Sequence, residues 1–212
     1  MGTSARERYR AQVHAEIKQH AWEQVATTGV SALSLNAIAK RMGMSGPALY
    51  RYFAGRDELL TELIRDAYRS LADAVLAAAD SGADVAALAH VVRDWALADP
   101  QRYFLLYGTP VPGYRAPEDT AKITSEMMTV LIEAHKAAMS ADVPATPFDA
   151  HLEEHRHWAA DDSAPTAALR KSLSFWTRVH GVVSLELAGH FNGMGFDPAL
   201  FFEQELDELL AR

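Results

Sequence analysis

No cysteine occurs anywhere in the 212 residues, so a disulfide framework and any cysteine-ligated metal are excluded. No apolar run approaches the ~20 residues that a membrane-spanning helix needs. The opening MGTSARERYRAQ is polar where a secretory signal would be apolar. These absences lead to the expectation of a soluble cytoplasmic protein with no membrane partner. Strand-type alternation, internal repeats and low-complexity tracts are also missing. Neither a glycine-rich phosphate loop nor a Ser-His-Asp arrangement stands out, and no cofactor is expected.

What is present is helical spacing along nearly the whole chain, which predicts an all-α fold. The net charge of -8 is unevenly divided. Residues 1–56 hold eight Lys/Arg against three Asp/Glu, whereas residues 57–212 hold twelve against twenty-five. A basic head on an acidic body suits a head that meets a polyanion and a body that avoids sticking to it. The expected domains are therefore 1–56 and 57–212.

Residues 34–53, SLNAIAKRMGMSGPALYRYF, carry the most information. Leu35, Ile38, Ala39 and Met42 recur at i, i+3, i+4 and i+7, one apolar face of a short helix. Ser34 is suited to cap it, and Gly43 to end it in a left-handed conformation. Ser45 is suited to cap a second helix, with Pro47 near its first turn. Outward-facing residues are then Asn36, Lys40, Arg41, Ser45, Gly46, Ala48, Tyr50, Arg51 and Tyr52. Two short helices meeting at a turn, small residues at the second start and a basic-aromatic cluster describe a helix-turn-helix reader of DNA.

Residues 12–60 resemble the DNA-binding domain of the tetracycline-repressor (TetR) family of bacterial transcription regulators. The resemblance rests on ATTGV, LSLNAIA, MGMS and ALYRYFAGRDELL. It implies phosphate contacts for Ser34, Tyr52 and Arg56, and a backbone or base contact for Tyr50. The family often has Lys, Arg or Thr early in the recognition helix, whereas this chain has Gly46-Pro47-Ala48. Base readout is therefore expected from Arg51, from Asn36 and Arg41, or from DNA shape. The resemblance further implies a ligand-released repressor that binds a palindromic operator in double-stranded DNA as a dimer.

Along the chain, a first helix is predicted over Ala5–Thr28, ended by Gly29. Arg6, Arg8 and Arg10 could form an arm along DNA or a frayed terminus. A long helix is predicted from a cap at Asp57, with a stripe of Leu60, Ile64, Ala67, Leu71 and Val75. Further helices are expected over Ala83–Ala98, Gln101–Tyr107 and Glu118–Ser140, with a Pro-rich loop at Thr109–Pro117. Between Ala141 and Pro165 the periodicity is poor, and a long loop with one helical turn, or a lid, is expected. The last helices are predicted over Thr166–Asn192 and from Asp197-Pro198 to Arg212.

The body is expected to bind a small hydrophobic or aromatic effector and to form a homodimer through residues 166–192 and 197–211. Candidate pocket residues are Trp95, Tyr103, Phe104, Tyr107, Met127, Met128, Phe175, Trp176 and His180, with Glu186 as a further polar anchor. Leu169, Leu173, Trp176, Val179, Val183 and Leu187, with Phe201, Phe202, Leu206, Leu209 and Leu210, are the candidate dimer stripe or else the monomer core. The spacing of Trp176, His180 and Gly181 resembles the C-terminal subtype known as the WHG domain. His151-Leu152-Glu153-Glu154-His155, with His157 nearby, fits the H-x-x-E-H pattern of zinc peptidases. Its place between Pro147 and Pro165 makes an exposed cluster the expectation, with no metal site and no catalysis. The alternatives to a DNA reader are a zinc hydrolase through His151, Glu154 and His155, or a helical interaction protein that does not bind DNA.

Overall fold

Chain order begins at a capping box in the computed structural model, which describes residues 4–109, 114, 118–139 and 144–211. Ser4 Oγ accepts from Glu7 N–H at 3.2 Å while Ser4 N–H donates to Glu7 Oε2 at 2.7 Å. Two orphan donors of the first turn are thereby satisfied, and α1 runs from Ala5 to Thr28. Arg6, Arg8 and Arg10 accordingly lie on the exposed first turns of a helix and not on a frayed arm. Val13, Ile17, Ala21 and Val25, spaced by four, are its buried stripe. Gly29 stops it at φ 78°, a conformation that costs a side-chain-bearing residue dearly.

All regular structure among the described residues is helical, and it divides into two compact units. The first holds the chain up to Ala67 together with the segment from Gln101 to Pro117; the second holds Tyr68–Pro100 and everything from Glu118 on. In the first unit α1 is followed by a 3-10 turn (Val30–Ala32), α2 (Leu35–Arg41), α3 (Gly46–Leu49) and the start of α4 (Arg56–Asp80), and all of α6 (Pro100–Tyr107) but its first residue belongs there too. Leu33, Leu35, Ile38, Ala39, Leu49, Phe53, Leu59, Leu60, Leu63 and Ile64 are all buried there. The long α4 is continuous from one unit into the other, and its predicted stripe of Leu60, Ile64, Ala67, Leu71 and Val75 is buried throughout.

Two local expectations in this unit need correction. The helix α4 begins at Arg56, so Asp57 lies in its first turn and is not the cap. Leu59 N–H bonds the Gly55 carbonyl at 3.3 Å, and the Glu58 carboxylate accepts from Ala54 N–H, which supplies the cap from one turn further on. The second helix of the helix-turn-helix is short, and its expected cap makes no side-chain bond. It ends at Leu49, with Ser45 at its N-cap position. Gly46 and Pro47 disfavour helix by roughly 1 and 3 kcal/mol relative to Ala in an interior, and here only Pro47's early position makes it tolerable. Tyr50, Arg51 and Tyr52 therefore stand on the turn that follows, closed by Tyr52 N–H to Leu49 O at 2.8 Å.

The second unit is built around α9 (Thr166–Leu187), against which α5 (Val85–Ala98), α7 (Glu118–Ala138), α8 (Pro147–Glu154) and α10 (Pro198–Leu210) pack. The region expected to be a loop or lid is tied down. Thr146 and Asp149 form a second capping box that starts α8. Beyond it, Ala159 and Ala164 are buried in a cluster with Ile132, Leu152, Ala168 and Leu169. Arg156 Nη2 reaches the Ala164 carbonyl at 2.5 Å, and Lys136 meets Asp161 at 3.0 Å. Pro and Asp spoil helical spacing there, yet short side chains still fill a core.

Helix α9 stops five residues earlier than predicted. Gly189, at φ 76°, takes the left-handed position, with His190 N–H to Leu185 O and Gly189 N–H to Glu186 O both at 3.0 Å. That paired closure is a Schellman motif, available one glycine before the Asn192-Gly193 signal. Asp197 caps α10 as expected, Oδ1 accepting from Ala199 N–H at 2.9 Å, with Pro198 in the first turn. The expected end at Arg212, the Pro110–Gly113 and Arg115–Pro117 parts of the expected loop, and Ser140 lie outside the described residues.

Candidate nucleic-acid interface

The turn of the helix-turn-helix is fixed by backbone bonds. Met44 N–H donates to Ala39 O at 2.9 Å and Gly43 N–H to Lys40 O at 3.2 Å, with Gly43 at φ 66°. This Schellman closure caps two carbonyls of α2 and turns the chain sharply into α3. At the other end of α2, Ser34 Oγ accepts from Ala37 N–H at 3.4 Å. Gln24 of α1 then grips the same residue from outside. Its Oε1 accepts from Ser34 N–H at 3.0 Å and its Nε2 donates to Ser34 O at 3.4 Å. Nothing in the spacing of the sequence marks Gln24, because the contact joins residues ten apart.

Around this frame Asn36, Arg41, Ser45, Pro47, Tyr50 and Arg51 are exposed, Tyr50 at 46%. Ser34, Gly46, Ala48, Tyr52 and Arg56 are half-buried. A Cβ on Gly46 would lie 3.6 Å from Asn36 Oδ1, which sets Asn36 beside the start of α3. Two of the expected cations are already engaged. Arg56 Nη2 donates to Val30 O at 2.9 Å, pinning the 3-10 turn, and its Nη1 is 3.7 Å from Asp57. Arg41 Nη2 bonds Glu23 Oε2 at 2.7 Å, and that same oxygen is 3.2 Å from His20 Nδ1. The Glu23 carboxyl is held below its usual pKa, chiefly by the His20 hydrogen bond and further by the Arg41 charge. Elsewhere in this unit the His14 ring stacks on buried Phe53 at 4.4 Å.

The body residues expected to line a pocket fall into both units. In the first, Tyr103 is fully buried, with Phe104 and Tyr107 rings at 5.7 and 5.2 Å. In the second, Met127 and Phe175 are fully buried and Met128 nearly so. Trp95 Nε1–H donates to Ser70 Oγ at 3.1 Å. Trp176 and His180 rings are 4.2 Å apart, and burial pushes His180 down to about 4, so it is neutral at pH 7. His135, buried and also depressed by desolvation, sits with Nδ1 2.8 Å from Leu131 O and 3.2 Å from Ser172 Oγ. Glu186, expected as a pocket anchor, instead makes a bidentate pair with Arg93 at 2.7 and 3.0 Å. Arg93 in turn lies over the Phe202 ring at 5.2 Å. A groove of about 450 Å³ on this unit is lined by Arg170, Lys171, Ser174, Thr177, Arg178 and Leu209, none of them from the expected set.

The H-x-x-E-H segment does not make a peptidase helix. The helix α8 ends at Glu154, and His155 is its C-cap with non-helical backbone. The His151 and His155 rings stack at 4.1 Å, with His155 Nδ1 2.9 Å from the His151 carbonyl. Both are exposed, as are Glu154 and His157, and no group of three or more potential ligands converges among the described residues.

Residues 17–63 match the model of bacterial regulatory proteins of the tetR family, and residues 85–209 match that of the tetracyclin repressor-like C-terminal domain. The chain belongs to the TetR family. It is a DNA-binding transcriptional regulator, and release of a repressor from a palindromic operator by a ligand is the mode typical of that family. The WHG resemblance is not confirmed by the C-terminal match. This TetR protein is 37% identical to the HTH-type transcriptional regulator Rv1816 of Mycobacterium tuberculosis, over 95% of this chain and 92% of that one. Mb1846 of Mycobacterium bovis, also an HTH-type transcriptional regulator, gives the same figures. The crystal structure of SCO4313 shares 67% identity with a TM-score of 0.91, covering 99% of this chain and 100% of that one.

Proposed function

We propose that this TetR protein is a cytoplasmic one-component repressor whose residues 1–56 grip a palindromic operator and whose residues 57–212 bind an effector and a second copy. The observation that carries the reading is the exposed polar and aromatic surface of Asn36, Ser45, Tyr50 and Arg51 on a helix-turn-helix whose Leu35, Ile38, Ala39 and Leu49 are buried. Ser34, Tyr52 and Arg56 would meet phosphates; Gly46, Pro47 and Ala48 would allow close approach, leaving direct readout to Asn36, Arg41 and Arg51.

The stripe offered as dimer face or monomer core divides, with part of it buried and Leu210 exposed. Leu169, Val179, Val183, Phe202 and Leu206 are buried within the single chain, so they serve the monomer core. Another side of the same helices is open: Ser174, Thr177, Gly181 and Leu185 on α9, its C-cap Ala188, then Met194, Phe196 and Leu200, the last 70% exposed. A second copy seated there would bury these groups, and a two-fold pair of heads suits a palindrome. A small hydrophobic or aromatic effector would act through the body, α4 transmitting the change because it is one continuous helix. Its lining within the second unit would draw on Trp95, Met127, Met128, Phe175, Trp176 and His180. Catalysis has no part in this reading, since exposed, stacked His151 and His155 give a hydrolase no support.

Selection from random duplexes by the purified protein tests it. An enriched palindrome is expected, bound at least tenfold more weakly by Tyr50→Ala with an unchanged melting temperature. No enriched sequence, or unchanged affinity in that variant, would overturn the reading.

A further inference from the structure

The Glu23–Arg41 contact places a carboxylate beside one of the cations of the candidate DNA-reading surface. A carboxylate on α1 holds a guanidinium at the last residue of α2, at 2.7 Å, while the Arg41 side chain as a whole remains 57% exposed. Glu23 is further fixed from its own helix by His20, at 3.2 Å to the same oxygen. The neighbouring residue, Gln24, brackets Ser34 at the opposite end of α2. Consecutive residues of α1 thus anchor both ends of the first helix of the reader.

We propose that Glu23 is a specificity-determining positioning residue: it fixes Arg41 at one place on the DNA-facing surface and cancels its charge toward DNA of any sequence. This rests on the reading that Arg41 lies at the DNA. Affinity for any duplex comes mostly from phosphate neutralisation, with each neutralised phosphate changing log K by about 0.9 per decade of salt. At ~0.15 M salt one additional phosphate contact is therefore worth about fivefold in affinity, whatever the sequence. A free Arg41 would add that factor to every stretch of DNA. Held by Glu23, it adds little to random encounters and serves only a duplex whose groups meet it where it stands.

The experiment uses the full-length protein, its selected operator and an unrelated duplex of equal length, each titrated over a salt series. Glu23→Gln removes the charge and keeps a hydrogen-bond acceptor of the same size; Glu23→Ala removes both. Glu23→Gln is expected to bind the unrelated duplex about fivefold more tightly, with a salt slope steeper by about one. Operator affinity should gain less, so the specificity ratio falls. Glu23→Ala should lower the ratio further by weakening operator binding. In an Arg41→Ala background, Glu23→Gln should move the ratio less than twofold. An unchanged ratio in Glu23→Gln, or an equal shift without Arg41, would overturn the proposal. If Arg41→Ala alone left both affinities unchanged, the placement of Arg41 at DNA would fail, and the role of Glu23 with it.

Discussion

Gly43 and Gly46 lie three residues apart in the turn and its following helix, and opposite outcomes are expected for them. Gly43 has φ 66° and no atom within 4 Å of the place a Cβ would occupy. Space is therefore not the obstacle; backbone conformation is. A left-handed backbone costs an L-residue about 1–2 kcal/mol, while losing glycine's freedom in the unfolded chain returns about 0.4–1 kcal/mol. Gly43→Ala should destabilise by about 1 kcal/mol, and Gly43→Asn by less, because Asn tolerates that region. Gly46 is not in the left-handed region, and its Cβ would sit 3.6 Å from Asn36 Oδ1, an ordinary contact. Gly46→Ala should leave stability unchanged or raise it by up to about 1 kcal/mol, since helix propensity favours Ala by that amount. The assay is urea unfolding followed by helical circular dichroism, comparing midpoints at constant slope. DNA affinity separates the two positions again. Gly46→Ala keeps the fold but adds a methyl at the small-residue start of α3, so operator binding should weaken without loss of stability. A Gly43→Ala variant as stable as the parent would refute the claim that the left-handed turn fixes α2 against α3.

Acid should destabilise the body through His180. Its folded pKa, about 4, lies below the ordinary 6.5, so its contribution is complete above pH 6.5 and is lost as the pH falls toward 4. That loss is on the order of 3 kcal/mol at most, with His135 acting in the same direction, and His180→Phe should flatten the fall in melting temperature over this range. Breaking the shielded Arg93–Glu186 pair by Glu186→Ala should cost about 3 kcal/mol, because it strands a guanidinium that lies over the Phe202 ring. Replacing both residues with apolar ones of similar size should cost far less, and equal costs would argue against charge stranding. Arg56→Ala should lower the unfolding free energy by about 1 kcal/mol as well as weaken DNA binding, since the Val30 carbonyl loses its side-chain donor and keeps only the Leu33 N–H; an effect on DNA alone would show that the pin is dispensable.

The head was legible in the sequence because its signals are local. Ser34, Gly43 and the Leu35–Ile38–Ala39 face each act within one turn, and all three stand where spacing and capping chemistry put them. The end of α1 at Gly29 was readable for the same reason, whereas the capping box of Ser4 and Glu7 that starts it carried no expectation. The partners of the cations were not. Arg41 meets Glu23 across eighteen positions and Arg56 meets Val30 across twenty-six, and charge spacing on a single helix carries no trace of either pair. A residue marked as outward by periodicity can still be committed to a neighbour. Which expected DNA contacts are free to act was therefore the part that only three dimensions could supply.

The body fails in the opposite way, through an excess of plausible assignments. Helix α9 has apolar residues around more than one side, so helical spacing supplies both a stripe for the monomer and a stripe for a partner without saying which is which. Burial separates them. Leu169, Phe175, Val179 and Val183 are consumed by the helices packed on α9 within one chain. What is left open is a sparser side, with small residues at Ser174, Thr177, Gly181 and Ala188 and one large one at Leu185. Small residues allow close approach of helices, and the exposed Met194, Phe196 and Leu200 next in the chain supply the apolar area that such an approach would bury. Gly181→Arg tests this choice of side. Its Cβ would meet no atom within 4 Å outside the helix's own backbone and Gly181 is exposed, so the monomer should fold normally while the sedimenting mass halves and operator binding drops steeply. Val183→Ala, on the buried side, should instead lower stability by about 1–3 kcal/mol and leave the assembly state intact. A dimer that survives Gly181→Arg but dissociates in Val183→Ala would return the interface to the stripe that periodicity alone suggests.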